Sequence, residues 1–214
     1  DPILDVDYVM AIYKQTDPNY PGRATIPVIV DVTTKKIVNN ESQEIMQQLE
    51  TNFMDFVKTD APDLYPENLR TEIDALNAIL LAEINQGVYK IKGAKTQADY
   101  EKYFHIFFNR LDQLEARLAD SRFLFGDQIT DSDIRLYVSL ARFDVAYYTT
   151  FRANRNRLTD FPNLWRYAKE LYQIPAFRET TNFDAIKKGF ALNNLEGNPN
   201  QIVPLGPDTS IWDQ

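Results

Sequence analysis

The chain has 214 residues, enough for one large domain or two smaller ones with a proper core, and 23 Lys and Arg stand against 31 Asp and Glu for a net charge of −8. That acidic balance argues against partners such as nucleic acid or an anionic membrane, and no apolar run or signal-peptide pattern points to a bilayer, so a cytoplasmic protein is expected. Cysteine is absent and His105 is the one histidine, which excludes disulfides, thiolate or multi-histidine metal sites and a cysteine nucleophile within these residues.

Taken in order, residues 5–14 suit a short amphipathic helix, closed by the turn residues of Asp17-Pro18-Asn19-Tyr20-Pro21-Gly22. Residues 25–31 form an apolar, β-branched run that reads as a buried strand. Pro27 cannot donate to a ladder, and a cis Ile26–Pro27 bond at the strand's entrance would resolve the conflict. A turn over 33–36 leads to a second strand over 36–39, expected antiparallel to the first. Asn40-Glu41-Ser42 begins a helix through Ile45, Met46 and Leu49, with Glu41 and Glu44 favourable in its first turn. Residues 59–66 read as linker.

Everything beyond is helical. Residues 67–86 place Leu69, Ile73, Leu76, Leu80 and Ile84 on one face, and residues 96–119 do the same with Tyr100, Tyr103, Phe104, Phe107, Phe108, Leu111, Leu114 and Leu118. Between them Tyr89 follows Gly87 in a polar turn, where it reads at its plainest as an aromatic plugging a helix end. Thr130 is an N-cap with Asp133 three residues on, opening a helix that is apolar on every side and therefore buried. Arg152, Arg155 and Arg157 form a basic cluster in a solvated turn. Helices over 163–172 and 183–188 precede a tail rich in Asn, Pro and Gly. His105 reads as a solvated helix-face residue, and no Ser-His-Asp arrangement is supported.

Gly-x-x-Ile-Thr-x-Ser-Asp-Ile at 126–134 resembles the capping box that opens the central helix of glutathione transferases. Asn39-Asn40-Glu41-Ser42, Gly87-Val88-Tyr89-Lys90, Asp133-Ile134-Arg135-Leu136, Arg142-Phe143-Asp144, Phe161-Pro162-Asn163-Leu164, Leu171-Tyr172-Gln173 and Pro204-Leu205-Gly206-Pro207 narrow the likeness. Together with Asn182-Phe183-Asp184 they resemble the glutathionyl-hydroquinone reductases, the Xi class related to omega glutathione transferases. The resemblance implies an α+β, mostly α fold. Residues 1–56 would be the C-terminal part of a thioredoxin-like domain, 57–66 a linker, and 67–214 an all-helical domain with an extended tail.

It also implies a site for glutathione as co-substrate, without metal. Ile26 beside Pro27 would pair with the ligand's cysteinyl segment like an added strand. Ser42 and free helix amides would take the γ-glutamyl carboxylate, Glu41 the ammonium, and Arg23 a further carboxylate. From the residues alone, Glu41 and Ser42 are an ordinary helix start. Tyr89 would line the hydroquinone pocket, and Phe190 would stand where the family carries a second tyrosine, with Gly189 in place of a histidine. The family's nucleophile is a cysteine in a Cys-Pro-Trp motif expected upstream of this chain, so these residues alone are expected to be inactive. A homodimer is the expected assembly. An omega-like transferase with another electrophile, or a non-catalytic interaction module, are the alternatives.

Overall fold

A computed structural model describes all 214 residues. The chain divides into two compact units, Asp1–Tyr65 and Pro66–Gln214, and each is described by itself.

The first unit opens with α1 (Val9–Thr16), which starts later than the sequence pattern predicts. Its apolar face buries Ile12 and Tyr13. The strand expected over 25–31 is only β1 (Ile29–Asp31), half-buried and exposed rather than buried. The ladder starts beyond Pro27, whose nitrogen carries no hydrogen to donate. The Ile26–Pro27 peptide is cis. β1 pairs antiparallel with β2 (Lys36–Asn39), as the turn between them requires. These two strands are the whole sheet, so one edge of β1 has no strand beside it. Val28, Val30 and Val32 instead line a groove of about 330 Å³ with Leu4, Val6 and Ile12. α2 (Ser42–Thr51) closes the unit, burying Ile45 while Leu49 is half exposed.

In the second unit the helix expected over 67–86 is three pieces. A 3₁₀ turn over Glu67–Leu69 leads into α3 (Arg70–Ile79), which widens into a π-helical stretch over Leu80–Asn85. α4 (Gly87–Gly93) follows directly, so Tyr89 lies on a helix and not in a polar turn. α5 (Gln97–Arg117) is the long aromatic helix, with exposed His105 on its outer face. α6 (Asp131–Arg142) runs through a second π-helical stretch, Phe143–Tyr147, into the single turn α7 (Tyr148–Thr150). α8 (Pro162–Tyr172), α9 (Pro175–Arg178) and α10 (Phe183–Leu192) complete the helices.

α6 is buried except along one stripe of Ile134, Val138 and Arg142, where Val138 is 40% exposed although the sequence predicts burial all round, and it enters the core through Asp133. One carboxylate oxygen of Asp133 accepts from the Thr130 amide at 2.8 Å and the Thr130 hydroxyl at 3.0 Å. The other accepts from the Leu124 amide at 3.0 Å and the Tyr167 hydroxyl at 2.9 Å. The cap therefore ties α6 to the preceding loop and to α8. The arginines after α7 are pinned rather than merely solvated: Arg155 pairs with Asp112 and lies 4.6 Å over the Phe108 ring, and Arg157 lies 4.3 Å over Tyr148. No helix is long and apolar enough to cross a membrane.

Candidate functional site

Two groups of residues can do chemistry, one in each unit. In the first unit the organising atom is the hydroxyl of buried Tyr13. It donates to the Thr25 carbonyl at 2.9 Å and accepts from the Asn40 side-chain amide at 3.2 Å. The residue before Ile26 and the residue before Glu41 thus meet at one oxygen. Ile26 is 76% exposed, and Glu41 and Ser42 are exposed at the start of α2. No side chain caps that helix, and the first backbone bond inside it is Ile45 N–H to the Glu41 carbonyl at 2.9 Å. The amides of the first turn are therefore open, an arrangement that favours a carboxylate. The Asn39 side chain holds the Glu41 amide at 2.8 Å and Glu44 at 3.0 Å, which orients the turn into the helix. Arg23 is exposed, its carbonyl accepting from the Tyr20 hydroxyl at 3.4 Å. Tyr13 was invisible as a site residue in the sequence, where it reads only as the apolar face of a helix. Its polar tip is the signal, because a buried tyrosine hydroxyl needs partners.

In the second unit four aromatic rings form a box. Tyr89 on α4 is 48% exposed and meets Phe151 edge-on at 5.0 Å and Tyr147 at 6.1 Å. Phe190 on α10 meets Tyr147 at 5.5 Å and Phe151 at 5.6 Å. Tyr147 and Phe151 stack on each other at 5.1 Å and are both buried. Tyr89 and Phe190, a hundred residues apart in sequence, thus share the same two neighbours. Burial above all, then the Tyr89 phenol beside it, pushes the Tyr147 hydroxyl up, so it stays neutral at physiological pH. Lys92, one turn beyond Tyr89, holds its ammonium 4.9 Å over the Phe151 ring. Sequence reasoning missed Tyr147, Phe151 and Lys92. The first two lie four residues apart at the end of a helix that is apolar all round, where nothing marks one face as a pocket. Gly189 leaves open space around the position where a side chain would project.

A small αββα unit followed in sequence by a long helical unit is the order of a glutathione-transferase fold with a thioredoxin-like N-terminal part. Residues 97–170 match the family model "Glutathione S-transferase, C-terminal domain". The chain is 38% identical over 207 residues to the glutathionyl-hydroquinone reductase YqjG of Escherichia coli K12, covering 97% of this chain and 63% of that protein. It is 40% identical over 218 residues to an omega-like glutathione S-transferase 2 of Schizosaccharomyces pombe, covering 99% of this chain and 70% of the relative. The glutathione-bound structure of YqjG superposes with a TM-score of 0.94 at 37% identity, over 100% of this chain and 69% of that one. The Xi glutathione S-transferase of Phanerochaete chrysosporium gives 0.93 at 41% identity, over 98% and 68%. The chain belongs to the glutathione S-transferase family, in the omega-like Xi branch that includes the glutathionyl-hydroquinone reductases. It spans 63% of the length of the E. coli relative.

Proposed function

We propose that these residues are the glutathione-recognising and ring-holding parts of a glutathione-dependent reductase of glutathionyl-hydroquinones. The observation that carries this reading is the uncapped start of α2, with Glu41 and Ser42 exposed and tied through Tyr13 to the Ile26–Pro27 segment. The open amides and the Ser42 hydroxyl donate to the γ-glutamyl carboxylate, while Glu41 neutralises the neighbouring ammonium. Ile26 offers its backbone to the cysteinyl segment, and Arg23 a cation to a remaining carboxylate. Tyr89 donates to a phenolic oxygen of the ring, with Phe190 as the opposite wall.

The reaction needs a thiolate that these 214 residues do not contain. A cysteine thiolate attacks the sulfur of the glutathionyl-hydroquinone; the sulfur–ring bond breaks, and its electron pair passes to the ring. The ring takes a proton and leaves as hydroquinone, while a cysteine–glutathione mixed disulfide forms. A second glutathione thiolate attacks that disulfide, releasing glutathione disulfide and restoring the cysteine. A second reading rests on Phe190, which presents no hydroxyl. It favours an omega-like transferase acting on another electrophile.

Calorimetric titration with glutathione tests the first part. Glu41→Gln and Ser42→Ala should each weaken binding by about fivefold, the loss of roughly one charge-assisted or helix-terminal interaction. Unchanged affinity in both would move the site elsewhere. Mixed with a glutathionyl-hydroquinone and excess glutathione, the chain alone should show no turnover. In a protein that also supplies the cysteine, Tyr89→Phe should slow turnover about two- to tenfold, the worth of one hydrogen bond.

A further inference from the structure

Three lysines and no acid occupy the run from Tyr89 to Lys95, in a chain whose net charge is −8. Lys90 donates to the Ala82 carbonyl at 3.0 Å. Lys92 and Lys95 enter none of the six ion pairs, and neither does Arg152. Unpaired cations are ordinary on a surface when scattered. These converge.

Arg152 is held in the left-handed region with φ of 61°, where an arginine rarely sits. Its carbonyl accepts from the Tyr100 hydroxyl at 2.9 Å, and its guanidinium lies 5.6 Å over the same ring. Tyr100 therefore fixes both ends of the residue. Between them opens a polar cavity of about 380 Å³ lined by Lys95, Thr96, Gln97, Tyr100 and Arg152. Thr96 and Asp99 cap each other at the start of α5, the hydroxyl to the carboxylate at 2.7 Å and the amide to the hydroxyl at 3.1 Å. The charged residues that line the cavity are Lys95 and Arg152, while Gln97, also in its lining, donates to the Glu101 carboxylate at 2.9 Å. The cavity is joined to the aromatic box through the chain: Arg152 directly follows Phe151, and Lys92, poised over Phe151, stands three residues before Lys95, just inside the end of α4.

We infer that this cavity is an anion subsite of the aromatic box, so that the pocket prefers a phenolic ring bearing a carboxylate over the same ring without one. The ring lies among Tyr89, Tyr147, Phe151 and Phe190, and the carboxylate reaches Lys95 and Arg152 past Lys92. The inference rests on the proposed reading of the box as a ring-binding pocket, and it names which rings that pocket selects. Guanidinium and ammonium donors meeting a carboxylate in a concave site make charge-assisted bonds, which an uncharged ring cannot use.

The test compares 2,5-dihydroxybenzoate with hydroquinone, the same diphenol with and without the carboxylate, by calorimetric titration of the whole chain. The carboxylate should tighten binding by about fivefold or more at low salt, and raising the salt should shrink that ratio. In the double variant Lys95→Gln, Arg152→Gln the ratio should fall to about one. Arg152→Lys, which keeps the charge and the backbone requirement, should retain most of it. Equal affinities in the unaltered chain, or a ratio that survives both the double variant and high salt, would overturn the subsite. Binding of neither diphenol would overturn it along with the ring-pocket reading, and only that outcome removes hydroquinone binding as well.

Discussion

Asp133 shows how one carboxylate can hold several elements together and be out of place while doing so. It is fully buried, and it accepts from two backbone amides and two hydroxyls. Asp133→Ala would leave the amides of Leu124 and Thr130 buried without an acceptor, at a cost of about 2–4 kcal/mol measurable by denaturant unfolding. Tyr167→Phe removes a single donor and should cost about 1 kcal/mol. Burial outweighs the four donors and raises the Asp133 carboxyl above its ordinary value of 3.8. As pH falls toward that value, the native state takes up this proton before the unfolded chain does. The contribution is complete below the ordinary value and is lost as pH rises through the folded-state value. The stability of the unaltered chain relative to Asp133→Asn should therefore grow on acidification and level off below 3.8. A gap that narrows instead would mean the four donors hold the charged form.

At the scale of elements, the seam between α3 and α6 is polar. The Asn77 side-chain amide donates to Asp131 at 2.7 Å and its carbonyl accepts from the Ser132 hydroxyl at 2.7 Å, all buried. Asn85, at the end of the π-helical stretch, donates to the Arg135 carbonyl and the Ser139 hydroxyl, both at 2.8 Å. Asp131 keeps Arg135 at 2.7 Å, yet its second oxygen is buried with no partner. Asn77→Leu would strand a second interaction on that carboxylate and orphan Ser132, so a loss of about 2–4 kcal/mol is expected in equilibrium unfolding. An effect below about 0.5 kcal/mol would show the seam to be held by packing alone. The elements themselves were legible where local chemistry decides them: Thr130 and Asp133 announce α6, and Ser42 opens α2. The π-helical stretches were not, because an inserted residue leaves the apolar spacing of Leu80 and Ile84 looking like an unbroken helix. β1 came out shorter than its β-branched run suggested, since Pro27 withholds a donor whatever surrounds it.

For the whole molecule, the two units differ in how much they bury. Residues 66–214 enclose a continuous core from Leu76 to Trp212. The first unit buries only Leu4, Ile12, Tyr13 and Ile45 among its apolar side chains. Sixty-five residues with so small a core should be marginal alone, whereas the helical unit should be stable. Limited proteolysis should cut between residues 52 and 66 and leave a resistant fragment with helical circular dichroism and a cooperative melt. Persistence of an intact 1–65 fragment, with loss of the helical part, would reverse that assignment. The same imbalance explains what the sequence could say about the site. Glu41 and Ser42 sit at a helix start, a local feature that a motif exposes. The box is assembled from α4, the residues flanking α7 and α10, and only tertiary folding brings Lys92 over Phe151 or Phe190 against Tyr147.

The two tryptophans of the chain meet edge-on at 4.9 Å, Trp165 on α8 and Trp212 in the final turn of the tail. Trp212 is buried against Tyr172 and Phe183 as well, and the Gln173 side chain holds its carbonyl at 2.9 Å. Every indole photon these 214 residues emit therefore comes from one spot, where residues 210–213 pack on α8. Indole emission will report whether the tail is docked on α8. An optical melt that lags behind a far-ultraviolet one would be the signature of the small unit letting go first.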